Sequence, residues 1–241
     1  SAGSHSNHAS GHSNHSSHSS SFIPHPSYDM LCRQGRMNIE VALFPNRAFY
    51  GGLLEPVGLP HQQGELILAP ELCDCEFAGL LTRVAFLPSA VEPPAQSAKM
   101  NHSEARIVAR LAAAIYRQYA AVSGFNPAVT LGVITPYRSQ IALIKKEIAA
   151  LGIAPLEDIL VDTVERFQGS ELDVIIYSFC VNRAYQLKFL ANMTEENGTR
   201  IDRKLNVALT RARKQMFMTG VPQLLKINPI YAELLSVVCH S

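Results

Sequence analysis

The stretch from Ala128 to Gly152, AVTLGVITPYRSQIALIKKEIAALG, decides the fold class. Its first eight residues form a nearly continuous apolar run, as expected of a strand that is buried on both faces of a parallel sheet. From Arg138 onward the apolar residues have the spacing of an amphipathic helix, which ends at a glycine. A buried strand followed directly by such a helix predicts an α/β domain.

The same alternation of apolar strands and amphipathic helices continues along the chain. Ser103 precedes the longest helical pattern and is the expected N-cap residue. The alternation predicts a parallel sheet with helices on both faces, in which ligands bind at the carboxyl ends of the strands. Further strands are predicted at 83–88, 158–164, 172–181 and 215–220, and helices at 103–122 and near 221–236.

The segment 203–220, RKLNVALTRARKQMFMTG, combines an apolar stripe with many cations. At about 100° per residue, Lys204 and Arg211 would fall on the same border of the stripe. The helix would then present a cationic fork suited to a phosphate, although a solvated charged surface is the alternative. The stripe, with helical spacing, consists of Leu205, Ala208, Leu209 and Ala212.

Composition limits the classes of protein that fit. The chain has 241 residues, 47% of them hydrophobic, which is enough for one large domain or at most two small ones. A net charge of +1 means that any basic binding site must be local. No apolar run approaches the ~20 residues of a membrane span. The odd number of cysteines, 5, shows no disulfide framework, so we expect reduced thiols and an intracellular, cytoplasmic protein.

The amino-terminal residues differ in composition from the rest. Residues 1–21 are rich in serine and histidine and lack the apolar residues needed to fold alone. We interpret them as a disordered linker or tail, with weak metal binding by the histidines as the alternative, and 22–241 as the folded domain. Cys73 and Cys75 form a C-x-C motif without a second pair, so no metal site is expected.

Four ordered motifs stand at or between the predicted elements. The segment 31–54, LCRQGRMNIEVALFPNRAFYGGLL, comes first. It is followed by ITPYRSQ at 134–140, DTVERFQGSE at 162–171 and LNVALTRAR at 205–213. The last three follow predicted strands, so we expect them to converge on one edge of the sheet.

This ordered set resembles the second RecA-like domain of superfamily 1 helicases, in the group that contains the nonsense-mediated-decay and Okazaki-fragment helicases. The resemblance covers 31–236. It implies a RecA-like parallel sheet flanked by helices. In that family two RecA-like domains clamp ATP: the first supplies the phosphate loop and the magnesium-binding acidic motif, and the second supplies arginines that reach the γ-phosphate.

The resemblance also assigns candidate nucleotide residues. Arg36 and Arg211 stand where the family has its arginine fingers, a role that lysine would fill poorly because it lacks the planar fork. Gln34 belongs to the Q-x-R-M motif, and Gln168, Gly169 and Glu171 belong to Q-G-x-E, which meets the nucleotide. For Glu171, the alternative is an ordinary exposed carboxylate. Gly35 stands where the family has a tyrosine that stacks on adenine.

Single-stranded nucleic acid is the partner that the resemblance implies, with DNA favoured over RNA. Short hydroxyls and backbone N–H groups suit phosphate contacts without reading sequence. Tyr137 could stack on a base or could be a half-buried core tyrosine. The candidate nucleic-acid residues are Thr135, Pro136, Tyr137 and Thr163.

A phosphate loop is missing from the sequence. There is no G-x-x-x-x-G-K-[ST], and no Asp-Glu pair follows a predicted strand as in a magnesium-binding motif. We therefore expect half of an ATPase, inactive alone, with ATP and Mg²⁺ held mainly by an upstream RecA-like domain. The alternatives are a nucleic-acid-binding module without motor activity, a generic α/β enzyme, and an interaction scaffold that uses the atypical segment 55–80.

Overall fold

A computed structural model describes residues 32–67, 69, 82–93, 97–196 and 199–238. The predicted tail at 1–21, the Cys73/Cys75 motif and most of 68–81 lie outside these residues. In chain order the elements are β1 (Arg33–Gln34), α1 (Ile39–Phe49), β2 (Glu55–Pro56), α2 (Pro60–Gln63), β3 (Val84–Pro88), α3 (His102–Val122), β4 (Leu131–Ile134), α4 (Arg138–Ala149), α5 (Ala154–Glu157), β5 (Leu160–Asp162), β6 (Leu172–Ser178), α6 (Leu187–Leu190), β7 (Met193–Glu196), β8 (Thr199–Asp202), α7 (Arg203–Leu209), β9 (Ala212–Gly220), α8 (Pro222–Leu225) and α9 (Pro229–Val238).

Five strands form one fully parallel sheet in the order β3-β9-β6-β4-β5. The predicted parallel α/β architecture is confirmed. The central strand β6 alternates between two apolar cores, as a strand covered on both faces must. Val174 and Ile176 pack into the core of α3 and α4. Ile175 and Tyr177 pack into the core of α1, α7 and α9.

The start of α3 differs from the prediction. Asn101, not Ser103, is the N-cap, and its side chain accepts the N–H of Glu104 at 2.8 Å. Both residue types cap helices well, and the pattern alone does not separate them. The strands β4 and β5 are also shorter than predicted. The predicted final helix is two helices, α8 and α9, of which the second begins at Pro229.

The basic segment folds differently from the predicted helix. The helix α7 ends at Leu209, Arg211 lies in a turn, and β9 already begins at Ala212. The strand extends this far because Ala212 pairs with Leu172 of β6. Lys204, near the start of α7, pairs with Glu165, whereas Arg211 lies beyond the end of the helix and interacts with Arg36 and Glu171. The predicted cationic fork of these two residues is therefore wrong.

The predicted convergence of the three motifs on one edge of the sheet is also wrong. Thr135 and Thr163 directly follow β4 and β5, at the carboxyl edge of the sheet. Glu171 and Arg211 directly precede β6 and β9, at the amino edge. The reason is that the segment 163–171 runs back from the end of one parallel strand to the beginning of the next. No helix among the described residues is long and apolar enough to cross a membrane.

Candidate functional site: an arginine cluster and the carboxyl edge

Two arginines and one carboxylate, which we call the arginine cluster, lie together at the amino edge. It consists of Arg36, Arg211 and Glu171. Arg36 Nε lies 2.8 Å from Glu171 Oε1, an ion-pair contact in which the N–H is too far off line for a hydrogen bond. The two side chains are 30% and 45% exposed, so solvent reaches the pair. A ligand could therefore reach it as well.

The second arginine sits beside the first. Arg211 is half-buried, and its Nε donates to the carbonyl of Val207 at 3.1 Å. Burial lowers the pKa of Arg211, and the positive charge of Arg36 lowers it further, whereas Glu171 raises it. The charges of the two guanidinium groups thus repel each other, and one carboxylate compensates only in part. An anion bound between them would relieve that repulsion.

The loop 34–37 holds Arg36 through the side chain of Gln34. Its Oε1 accepts the backbone N–H groups of Arg36 at 3.0 Å and Met37 at 2.7 Å. Its Nε2 donates to the Met37 carbonyl at 3.0 Å. Both ends of the amide are therefore already used within the loop. The structure places Gln34 as a support for Arg36.

Two side chains of the helix α2 contact the backbone of this loop. Gln62 Nε2 donates to the Gln34 carbonyl at 2.8 Å. His61 Nε2 lies 3.1 Å from the carbonyl of Gly35 and 2.8 Å from that of Arg36. Neither residue is predicted as functional from the sequence, because 55–80 shows no family pattern. The described part of that segment packs against the candidate site, and nothing in its sequence pairs it with Gln34.

The Q-G-x-E residues form a turn that ends at the cluster. Phe167 is fully buried, and its carbonyl accepts the N–H of Ser170 at 3.0 Å. Gly169 has a φ of +80°, a conformation that favours glycine. This turn brings Glu171 to Arg36. Gln168 is exposed, and within the described ranges no hydrogen bond or ion pair joins its side chain to the cluster.

The candidate nucleic-acid residues lie together at the carboxyl edge, away from the cluster. A small cavity of about 30 Å³ is lined by Thr135, Pro136 and Thr163, among others. Thr135 is fully buried, and its Oγ1 has no hydrogen-bond partner in the described part of the chain. Because of this burial, contact between Thr135 and a bound strand would need local movement. Pro136 and Thr163 are half-buried at the surface.

Tyr137 is half-buried beside this cavity, and its phenol oxygen accepts a hydrogen bond from Gln186 Nε2 at 3.2 Å. Burial raises the pKa of Tyr137, and the hydrogen bond from Gln186 lowers it. Lys204, which the sequence placed with Arg211, instead lines the cavity and pairs with Glu165 at 3.3 Å. Although burial acts to raise the pKa of Glu165, hydrogen bonds and the charge of Lys204 lower it.

Comparison with known proteins gives the class to which this arrangement belongs. The family described as "AAA domain" matches residues 15–223, so the chain belongs to the AAA domain family. The resemblance to superfamily 1 helicases and the RecA-like fold class are confirmed, and this chain is a helicase-family domain.

The relatives are long proteins. "Probable helicase MAGATAMA 3" of Arabidopsis thaliana is 28% identical over 214 residues, which cover 86% of this chain and 24% of the relative. "Regulator of nonsense transcripts 1 homolog" of the same plant is 32% identical over 212 residues, which cover 84% of this chain and 15% of the relative. "DNA replication ATP-dependent helicase/nuclease DNA2" of Mus musculus is 28% identical over 217 residues, which cover 81% of this chain and 19% of the relative.

A solved structure is also similar. It is the C-terminal domain of a possible DNA helicase from Lactobacillus plantarum WCFS1, with a TM-score of 0.43 and 14% sequence identity over 82% of this chain and 96% of that chain.

Proposed function

We propose that residues 22–241 are the C-terminal motor domain of an ATP-dependent helicase or translocase. In this proposal the domain supplies Arg36 and Arg211 to a nucleotide held by an upstream RecA-like domain of the same protein. It also contacts single-stranded nucleic acid, with DNA favoured over RNA. The observation that carries the proposal is the ion pair Arg36–Glu171 at the amino edge, where Arg36 also donates to the carbonyl of Thr210 and the charge of Arg211 interacts with both members of the pair.

The charge balance of the arginine cluster favours a phosphate ligand. Two positive charges face one negative charge, so the cluster keeps a net positive charge. A partly exposed ion pair such as Arg36–Glu171 contributes only about 0–1 kcal/mol, so Arg36 can exchange Glu171 for phosphoryl oxygens at little cost. Arginine suits that exchange because its planar group donates two parallel hydrogen bonds. A correctly placed arginine finger accelerates phosphoryl transfer by about 10³–10⁵.

The remaining parts of an ATP site must come from elsewhere. The sequence has no phosphate-loop motif, and the chain spans 24%, 15% and 19% of the three relatives' lengths. Within the described ranges, no group of three or more His, Cys, Asp or Glu residues could hold a metal ion. Among the described residues, the two arginines fit the phosphates of ATP. ATP and Mg²⁺ would both be held mainly by the upstream domain.

ATP hydrolysis by the full-length protein tests this function, with single-stranded DNA or RNA added. We expect the isolated chain to be inactive and the full-length protein to be stimulated by the strand. Arg211→Ala and Arg36→Ala should each lower kcat by about 10³ or more, and Arg211→Lys should rescue little of it.

Arg213→Ala is the matched control. Arg213 lies two residues further along the chain, and Asp173 partly neutralises its charge at 3.8 Å, so this variant should keep its activity. Full activity of Arg211→Ala would overturn the proposal. A protein that binds the strand but never hydrolyses ATP would be a nucleic-acid-binding module without motor activity.

A further inference from the structure

An exposed aromatic surface lies beside the carboxyl edge. The 3₁₀ turn Ala184–Gln186 continues directly into α6, and together they form one short helical segment. Its inner side, including Gln186 and Leu190, is buried. On its outer side, Tyr185 is 58% exposed and Phe189 is 69% exposed. These two rings stand four residues apart and share one face of the segment. We call Tyr185, Lys188 and Phe189 the aromatic ridge.

The aromatic ridge is continuous with the proposed nucleic-acid edge. Gln186, between the two ridge rings in sequence, donates its side-chain N–H to the phenol of Tyr137. Leu190 lines the same small cavity as Thr135 and Thr163. The inner side of the helical segment therefore packs directly on the candidate nucleic-acid residues. Its outer side extends their surface with two further rings.

The helical segment that bears the ridge is itself positively charged. From 183 to 194 the sequence contains Arg183 and Lys188 and no acidic residue. Among the described residues, the guanidinium of Arg183 donates to backbone carbonyls alone, those of Glu92, Pro93 and Asn182. The carboxylate of Glu92 accepts the backbone N–H of His102 and lies 3.5 Å from the His102 ring, so it is engaged at the start of α3.

Two more exposed cations lie next to this surface. The carbonyl of Ala98 accepts from Gln186, and the carbonyl of Lys99 accepts from Ser139. These bonds connect the backbone of Lys99, and through Ser139 that of the adjacent Arg138, to Gln186 on the inner side of the ridge. Like Lys188, both are exposed, and none of the three has an ion-pair partner among the described residues. Exposed rings interleaved with unpaired cations fit a chain of stacked bases and phosphates better than an apolar protein surface.

We propose that the aromatic ridge is a base-stacking platform on which Tyr185 and Phe189 hold successive bases of single-stranded nucleic acid. This inference rests on the proposed function, whose candidate residues it extends outward from the carboxyl edge. Stacking on rings tolerates any base sequence, as a translocating protein requires. The loss of one ring should weaken binding by about five- to a hundredfold.

Tryptophan fluorescence tests the platform directly, because the chain contains no tryptophan. Tyr185→Trp and Phe189→Trp would each introduce a single reporter that keeps an aromatic ring. Val129→Trp is the control, since Val129 is 49% exposed and precedes β4 at the amino edge. The 241-residue chain is titrated with labelled oligo-dT, oligo-rU and an abasic strand of equal length, and binding is followed in parallel by anisotropy of the label.

We expect bases to quench the fluorescence of the Tyr185→Trp and Phe189→Trp variants but not that of the Val129→Trp control. The abasic strand should quench none of the three. Phe189→Ala should weaken binding of oligo-dT by about fivefold or more and leave binding of the abasic strand unchanged. The dT and rU arms separate DNA from RNA as the source of the bases. Because Phe189 is mostly exposed, the alanine variant should keep its melting temperature.

Other outcomes separate this inference from the proposed function. If the oligonucleotides bind but the ridge reporters do not respond, the platform is overturned while nucleic-acid binding stands. If no oligonucleotide binds, the platform and the nucleic-acid part of the proposed function both fail, and the Arg211 dependence of ATP hydrolysis remains a separate result. If Phe189→Ala weakens binding of the abasic strand and of oligo-dT equally, Phe189 does not stack on bases, and the inference is wrong.

Discussion

The backbone carbonyl of Thr210 accepts a hydrogen bond from Nη1 of Arg36 at 3.2 Å. One proposed arginine finger is thus attached to the residue immediately before the other, Arg211. Two groups that share a backbone support in this way should act together and not as independent contributors.

Combining the two arginine substitutions should therefore give a non-additive loss. In the full-length protein, we expect Arg36→Ala/Arg211→Ala to lower kcat by much less than the product of the two single losses, because either loss already disables the cluster. The measurement is a double-mutant cycle on strand-stimulated ATP hydrolysis. Arg211→Ala combined with Arg213→Ala serves as the comparison pair and should be additive. Strict additivity for Arg36 and Arg211 would show that they work separately.

Gln62 should support the arginine loop energetically. It is fully buried and accepts the N–H groups of Gly58 and Leu59, both at 3.0 Å, while it donates to the Gln34 carbonyl. Gln62→Ala leaves these groups without a partner, which should cost about 1–3 kcal/mol of unfolding free energy, measured by urea denaturation. The adjacent, exposed Gln63 offers Gln63→Ala as a control, which should be nearly neutral. Equal stability of the two variants would contradict the bracing role.

Glu104 should make stability depend on pH. It is fully buried at the start of α3, where Ser178 Oγ donates to it at 2.7 Å and the N–H of Cys180 at 2.9 Å. Burial raises the pKa of Glu104 from 4.5 to about 7, against the lowering effect of these hydrogen bonds. Between the two values the folded state binds more protons than the unfolded state, so stability falls as pH rises through this range.

Glu104→Gln should remove that dependence, because the amide resembles the protonated carboxyl group. We expect the difference in unfolding free energy between the variant and the wild type to be near zero below the lower pKa. At pH values above the higher pKa, the variant should be more stable than the wild type by about 3 kcal/mol. Chemical denaturation at about pH 4 to 8 measures it, a range that spans both pKa values. A difference that stays constant with pH would mean that Glu104 is ionised in the folded protein.

Gly132→Ala should destabilise the sheet by steric overlap. A Cβ at Gly132 would lie 2.7 Å from Phe167 Cε1 and still closer to Leu172 Cδ1. We expect a loss of about 1–3 kcal/mol, measured by thermal or urea denaturation. A smaller side chain at the neighbour should partly restore the fit, so Phe167→Leu should cost less in the Gly132→Ala background than in the wild type. The same cost in both backgrounds would exclude overlap with Phe167.

Gly169→Ala provides a contrast, because nothing lies within 4 Å of its added Cβ but its φ is +80°. The expected loss is about 1 kcal/mol from backbone strain alone. Phe167→Leu should not reduce it.

The sequence predicts the parallel sheet well because buried strands and amphipathic helices impose different periodicities. Val174 and Ile175 could be assigned to a buried strand from composition alone. The end of α7 could not be predicted in this way. Its apolar stripe continues at Ala212, but Ala212 pairs with Leu172 and therefore belongs to β9. Local spacing contains no information about that pairing, which joins distant parts of the chain.

The sequence likewise predicts some features of the candidate site and not others. The motifs identify Arg36, Glu171 and Arg211, and the structure brings them together. They do not reveal the two edges, because the direction of the segment 163–171 depends on where β6 begins. Nor do they reveal His61, whose contacts are with backbone carbonyls that any sequence possesses. The exposed rings of Tyr185 and Phe189 had no distinguishing pattern.

The segment 163–171 differs from an ordinary surface loop in what it would tolerate during evolution. It starts at the carboxyl edge, inserts Phe167 into the core over Gly132, and delivers Glu171 to Arg36 at the amino edge. The number of residues in this segment is therefore set by the distance between the carboxyl and amino edges of the sheet. We expect insertions and deletions to be excluded here. A single added residue would move either Phe167 away from Gly132 or Glu171 away from Arg36.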